Sequence, residues 1–321
     1  MLKIDKLAKI KELREITDAP FVDCKTALEN SDYEINGAIK WLHENGKSKA
    51  LKKADRIAAE GLVLATKCQK HALIFELNSE TDFVAKNQNF VKLQGEIAKL
   101  LLENDFDNLE TALTIKNQDS RTIAEMLIES TATMGEKITL RRVLKTKILE
   151  GQKVGLYTHS NGQIASVVVI DGGNCTVAKD ISMHVSALNP EFNFESDVTQ
   201  ERLAEIERLA ETERLEEIER KQAEIKEKFA NSPDLEKKLA SVKKLENIEK
   251  NIIRGKIEKK LSEFVLEFQA LATDSAITVG KYLEQNSAKL VQAVRFEVGE
   301  GIEKQAVDFY TEVNSQIKEA K

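Results

Sequence analysis

One order of elements occurs twice in this chain. Gly61-Leu-Val-Leu-Ala-Thr-Lys and Ala72-Leu-Ile-Phe-Glu-Leu-Asn are two apolar runs parted by a short polar break. A helical pattern follows over 84–102, with Phe90, Leu93, Ile97 and Leu100/Leu101 on one side. The runs Val154-Gly-Leu-Tyr-Thr and Gln163-Ile-Ala-Ser-Val-Val-Val-Ile, then a helix from about Thr176, restate that order. Gly61-Leu62 answers to Gly155-Leu156 at an offset of 94, and Val84-Ala85-Lys86 to Val177-Ala178-Lys179 at an offset of 93. A single residue of slippage over two dozen marks an internal repeat. Each copy reads as a β-hairpin followed by a helix, the sheet burying one face under its own helix.

The composition changes after the second copy. Of the 60 residues from 201 to 260, 31 are charged, while Leu203, Ile206, Ala210, Leu215, Ile218, Ile225 and Phe229 recur at helical spacing. A second series, Leu235, Leu239, Val242, Leu245, Ile248 and Ile252, follows the break Asn231-Ser-Pro-Asp. Ser232 suits a cap for a new helix, with Pro233 at its first position and Asp234 favouring the positive end of its dipole. The expected structure is an antiparallel helical hairpin whose first arm, ~30 residues at 1.5 Å each, projects ~45 Å. Glu213 and Glu217 interrupt the apolar stripe, which argues for a two-helix protrusion and against long parallel heptads. Beyond it, Leu290, Val294, Phe296 and Val298 alternate with Arg295 and Glu297, a strand expected to rejoin the second sheet and make the arm an insertion.

The first 46 residues read as three short helices. Leu2, Ile4, Leu7, Ile10 and Leu13 form a stripe that ends at Asp18-Ala-Pro20; a segment over 21–29 follows; the third helix carries Ile35, Ile39 and Leu42 and is expected to stop at Asn45-Gly46. The fold class is therefore α+β. Its expected parts are a three-helix module over 1–46, a basic connector over 47–59, a core subdomain over 60–135, a second over 136–198 plus 263–302, the helical hairpin over 199–262, and a terminal amphipathic helix over 303–321.

Several function classes are disfavoured. A net charge of −6 is a poor match for a protein held to nucleic acid by phosphate contacts. No apolar run reaches the ~20 residues of a membrane helix, and the N-terminal residues lack a signal-type apolar stretch, so a cytoplasmic location is expected. Cys24, Cys68 and Cys175 are far apart, and His43, His71, His159 and His184 form no cluster, which suggests neither a metal site nor a disulfide framework. No GxxxxGK[ST] loop exists, and Gly299-Glu-Gly301 has Lys304 where a dinucleotide loop needs glycine. Carboxylates such as Glu136 and Asp180 are indistinguishable from surface charge. No enzyme constellation, cofactor site or metal site is expected.

Three local motifs stand in order. They are Lys11-Glu-Leu-Arg-Glu-Ile-Thr-Asp-Ala-Pro-Phe21-Val22-Asp-Cys-Lys-Thr-Ala-Leu28, then Glu80-Thr81-Asp82-Phe83-Val84-Ala85-Lys86, then Val294-Arg-Phe-Glu-Val-Gly-Glu-Gly-Ile-Glu303. Together they resemble the elongation factor Ts family. The second motif matches the family pattern in full and the third nearly so. In the first, the family's Gly-Ala-Gly turn is Asp18-Ala19-Pro20 here, a departure that still leaves Pro20 able to start the next helix.

The resemblance implies a nucleotide-exchange partner of the translational GTPase elongation factor Tu, with no bond chemistry of its own. It implies that Thr81, Asp82, Phe83 and Val84 dislodge the partner's Mg2+, the aromatic ring entering between helices of the GTPase domain. From the residues alone, Asp82 is a favourable first-turn acid, worth ~0.3–1 kcal/mol, and Phe83 suits the core; the resemblance reverses that reading. The N-terminal module resembles a ubiquitin-associated-type bundle, with Leu13, Phe21 and Val22 as an exposed apolar corner for the partner; filling a small core is the competing role. His159, in the turn of the second hairpin, matches a family contact position. The family's helical protrusion is often used for self-association, which raises the expectation of a homodimer. A non-catalytic scaffold working through the hairpin and the N-terminal module is the alternative reading.

Overall fold

The computed structural model describes residues 3–17, 19–230, 232–242 and 246–303. The terminal helix expected from residue 303 onward, with Val307, Phe309, Tyr310 and Val313, lies outside the described residues apart from its first position. The chain forms two compact units, one of 1–149, 157–167 and 295–321, the other of 150–156 and 168–294.

The first unit begins with three helices, α1 (Lys3–Thr17), α2 (Phe21–Glu29) and α3 (Ile35–Lys52). Ile10, Leu13, Ala19, Cys24, Ala27, Leu28 and Ala38 fill their common core, with Trp41 and Leu42 packed against it. Pro20 is the residue before α2, at φ −55° and ψ 143°, and starts it as expected. Helix α3 does not stop at Gly46 but continues to Lys52. The glycine serves a close approach, since a Cβ there would lie 2.9 Å from the Ala132 Cβ of α7 (Ile123–Met134). His43 and Glu129 meet at 2.7 Å across the same contact, and Lys53 Nζ donates to the Gly135 carbonyl at its end.

Strands β1 (Glu60–Lys67) and β2 (His71–Ser79) form the first hairpin. Helix α4 (Asp82–Ala85) follows, then α5 (Gln88–Glu103), α6 (Leu109–Leu113) and, beyond α7, strand β3 (Thr139–Lys147). The sheet order is β1-β2-β3, with β2 in the centre. Leu73, Phe75 and Leu77 project to one face, as the period of 2 demands, and there meet Phe90, Leu93, Ile97 and Leu101 of α5 and Ile123 and Leu127 of α7. On the other face lies Glu76, fully buried. A bulge lets two β3 residues oppose it: Glu76 pairs with Arg142 and Leu77 with Leu140, leaving Arg141 extra. Both guanidiniums reach the Glu76 carboxylate, Arg141 Nη1 at 3.0 Å and Arg142 Nε at 2.5 Å.

The third motif is built onto that carboxylate. The Gly299 N–H donates to Glu76 Oε1 at 2.8 Å. Arg142 stacks 4.1 Å from the centre of the Phe296 ring and donates to the Glu297 carbonyl at 2.8 Å. Gly299 has φ +72°, and a Cβ there would sit 2.3 Å from the Ala59 carbonyl oxygen, so glycine is required. Glycines that resemble a phosphate loop in sequence thus close the back of the first sheet.

The second copy supplies β4 (Gln152–Thr158), β5 (Ile164–Gly172) and α8 (Cys175–Leu188). Strands β2 and β5 are each 9 residues long, and both they and the helices after them begin 93 residues apart, at His71 and Ile164 and at Asp82 and Cys175. Helices α9 (Gln200–Phe229), α10 (Leu235–Val242) and α11 (Glu246–Leu261) come next, then a small β6 (Ala270–Leu271) and β7 (Asp274–Thr278) pair, α12 (Val279–Gln285) and β8 (Ala288–Glu297). Strand β8 does join the second sheet, in the order β4-β5-β8, so the helical arm is inserted before its last strand. In the second unit Val168 and Ile170 pack with Val177, Ile181 and Val185 of α8 and with Val279 and Leu283 of α12.

Helices α10 and α11 both pack on α9, giving the expected two-armed hairpin. Ser232 Oγ accepts the Asp234 N–H at 3.3 Å, and α10 starts at Leu235, two residues beyond Pro233. Near its root Ile206, Ala210, Ile257 and Leu261 are apolar and buried. Further out the acids that break the stripe face cations. Glu213 meets Lys260 at 2.6 Å; Glu217 meets Lys221 at 2.7 Å and is held near pKa 2, chiefly by that hydrogen bond. Buried Arg214 grips Glu249 of α11 with two hydrogen bonds of 2.7 and 2.9 Å. Ion pairs across the arm take the place of an unbroken apolar seam. The whole is an α+β fold, as expected.

Candidate functional site

The corner between β2 and α4 is made by local capping. Thr81 is extended, at φ −123° and ψ 158°, and its hydroxyl accepts the Val84 N–H at 3.4 Å. Ser79 Oγ donates to the Thr81 carbonyl at 2.8 Å. A second segment grips the corner from 55 residues away: Glu136 takes the Thr81 N–H on one carboxylate oxygen at 2.9 Å and the Thr81 hydroxyl on the other at 2.6 Å. Glu80 in turn accepts the Lys137 N–H at 2.7 Å. Arg56 lies 3.2 Å from Glu80, and Lys137 Nζ donates to the Arg56 carbonyl at 2.9 Å.

This framework presents one ring. Ala85 points into the core and Val84 packs half-buried against it. Phe83, between them and Asp82, is 80% exposed. Of the two roles weighed for it, core filling is excluded. Asp82 lies beside it, paired with Lys86 at 2.6 Å; the hydrogen bond from that ammonium holds its carboxyl below the usual range. Asn87 ends the turn by capping α5, its side chain accepting the Asn89 N–H at 2.9 Å.

The other expected partner-binding residues lie on separate elements. Phe21 and Val22, 43% and 69% exposed, sit in the first turn of α2. Leu13 requires a correction: it is completely buried in the three-helix core and offers no surface. Its helix turns Ile10 and Leu13 inward and leaves Leu7 and Ile16 exposed instead. His159 is in the turn between β4 and β5, as expected. Its N–H donates to the Ile164 carbonyl at 2.8 Å, and its Nδ1 lies 3.1 Å from the Tyr157 hydroxyl.

Glu136 and Asp180 have roles that the sequence withheld. Glu136 comes directly after Gly135, the left-handed cap of α7 at φ 79°. No local pattern marks it, because its partner is a backbone corner 55 residues earlier. Asp180 accepts the Tyr282 hydroxyl at 2.7 Å and pushes that phenol up to about 12. Among the described residues no group of three or more His, Cys, Asp or Glu is arranged to hold a metal ion, and no helix is long and apolar enough to cross a membrane. The arrangement presents an exposed apolar ring on a corner held by its own cap and by Glu136.

The family model described as Elongation factor TS matches residues 80–300. An elongation factor Ts of Mesomycoplasma hyopneumoniae (strain J) is 60% identical over 320 residues, 99% of each chain. That of Mycoplasmopsis pulmonis is 46% identical over 313 residues, 98% of each chain. That of Acholeplasma laidlawii is 41% identical over 310 residues, covering 97% of this chain and 98% of its own. The chain belongs to the elongation factor Ts family, a family of translation elongation factors.

Proposed function

We propose that this chain is a guanine-nucleotide exchange factor for elongation factor Tu, acting in the cytoplasm and performing no bond chemistry itself. The observation that carries the proposal is the Phe83 ring, exposed on a corner whose backbone is fixed from both sides. The ring enters between helices of the GTPase domain and displaces the elements that hold Mg2+ and phosphate. Thr81 and Val84 shape the turn, and Asp82 brings negative charge near the metal. Phe21 and Val22 of the N-terminal module and His159 of the second hairpin supply further contacts, with Leu13 supporting α2 from beneath.

The thermodynamics need no contact with the nucleotide. A factor that binds the empty GTPase more tightly than the GDP-bound form weakens GDP binding by the same ratio. The test is release of fluorescent GDP from purified elongation factor Tu with and without this chain. Acceleration that saturates with the chain's concentration supports the proposal; release at the spontaneous rate refutes it. The exposed Leu209, Leu215 and Ile248 of the arm favour a second, compatible reading in which the arm joins two copies of the chain. Sedimentation of the full chain separates dimer from monomer.

A further inference from the structure

The Phe83 ring has little packing of its own to hold it, since it stands in solvent. Its direction is therefore set by the backbone of α4. That helix has 4 residues, too few to persist without outside support. Its own cap is weak, the Thr81 hydroxyl accepting the Val84 N–H only at 3.4 Å. Shorter hydrogen bonds run from the Thr81 N–H and hydroxyl to Glu136, at 2.9 and 2.6 Å. They end on a carboxylate, which makes them the stronger, charge-assisted kind. By accepting the hydroxyl's hydrogen bond, Glu136 also turns the Thr81 lone pairs toward Val84. Its own anchor is rigid: Gly135 caps α7 through its N–H to the Thr131 carbonyl at 3.1 Å, and Lys53 Nζ binds the Gly135 carbonyl.

We propose that Glu136 is a positioning residue for nucleotide exchange: its two-oxygen grip on Thr81 fixes the angle at which Phe83 is presented, so that thrust from a partner is borne by α7. The inference rests on the exchange reading given above and adds a residue to it. Glu80, held by the Lys137 N–H, completes a reciprocal clamp in which each segment's carboxylate binds the other's backbone. Loss of Glu136 leaves the ring exposed but lets its turn fray.

The experiment is a double-mutant cycle in the fluorescent-GDP assay, using full-length chain, with Glu136→Ala, Phe83→Ala and the pair, and with Glu136→Gln as the milder variant. Thermal unfolding is followed on all of them. Glu136→Ala is expected to lower the maximal exchange rate about tenfold, as loss of ~1.4 kcal/mol at the barrier would, with a smaller change in the half-saturating concentration. Glu136→Gln, which keeps one acceptor oxygen, falls between. In the Phe83→Ala background Glu136→Ala is expected to cost nothing further in rate, while its effect on melting is the same in both backgrounds. A general structural role would cost the same rate in both. Slow Phe83→Ala with Glu136→Ala and Glu136→Gln at wild-type speed, or additive losses, overturns the clamp alone. Phe83→Ala at wild-type speed overturns the exchange reading and the clamp with it.

Discussion

At the first repeat's corner Thr81 caps a 4-residue helix, and the next positions are Asp82 and an exposed Phe83. At the second, Asn174 caps a 14-residue helix through the Thr176 and Val177 N–H groups, and the matching positions are Cys175 and Thr176. Both corners turn these positions toward solvent. The difference lies further along each helix. Val177 and Ala178 are buried, as Ala85 is, but Ile181, Ser182 and Val185, buried along α8, match Gln88, Asn89 and Lys92, all exposed. Asn87 ends one helix and caps the next, so the buried face of α5 starts afresh at Phe90. The unbroken α8 devotes its length to the core. The broken copy separates a turn that displays a ring from a helix that fills a core. The strands differ as well: buried Glu76, with its two arginines, stands where the second copy has buried Val169.

The largest expected effect tests that last contrast. Glu76→Ala removes the common partner of Arg141, Arg142 and the Gly299 N–H and should cost about 3 kcal/mol of stability in urea unfolding, as broken buried ion pairs do. A cost below about 1 kcal/mol, the worth of a surface pair, would make the carboxylate dispensable and the two sheets alike. Next comes a transplant. Thr176→Phe in the Phe83→Ala background should leave exchange slowed about thirtyfold, the ~2 kcal/mol of an interface hot spot; recovery of rate would show that any ring at either corner suffices. Asn174→Ala should cost about 1 kcal/mol, the usual loss of a cap, with the exchange rate unchanged. The smallest effect is a pH dependence carried by His184 in the second unit. His184 is buried and accepts the Ala272 N–H on Nδ1 at 3.1 Å; the proton therefore sits on Nε2, which donates to Gln269 at 3.0 Å. Burial holds its pKa below the ordinary 6.5. The unfolded chain then takes up the proton first, so stability falls as pH drops through that ordinary value and is fully present above it. His184→Gln should flatten the fall in urea midpoints on acidification through that value, while an unchanged slope would contradict the assignment.

Sequence periodicity carried the two hairpins, α8, the arm and the rejoining β8, because each has a long apolar pattern at the period of its element. It missed α6, α7 and β3, where Thr139-Leu-Arg-Arg-Val-Leu-Lys-Thr-Lys gains its meaning from the bulge opposite Glu76. It placed a helix stop at Gly46, since a glycine that ends a helix and one that admits a neighbouring helix look the same in a single sequence. Leu13, which the resemblance puts in an exposed corner and the residues alone leave open between surface and core, is core, because one apolar stripe on α1 does not show which of its residues turn inward. The motif over 80–86 was visible as a resemblance. Its mount was not, because Glu136 acts on backbone atoms 55 residues away.

The central claim is that Phe83 is a wedge, and the most direct measurement is stopped-flow release of fluorescent GDP from elongation factor Tu at saturating concentrations of the wild-type chain and of Phe83→Ala. With the ring in solvent, its removal should leave the melting temperature nearly unchanged. The account predicts a well-folded variant whose maximal release rate drops toward the spontaneous one. A Phe83→Ala chain that binds and releases GDP as fast as wild type would contradict it.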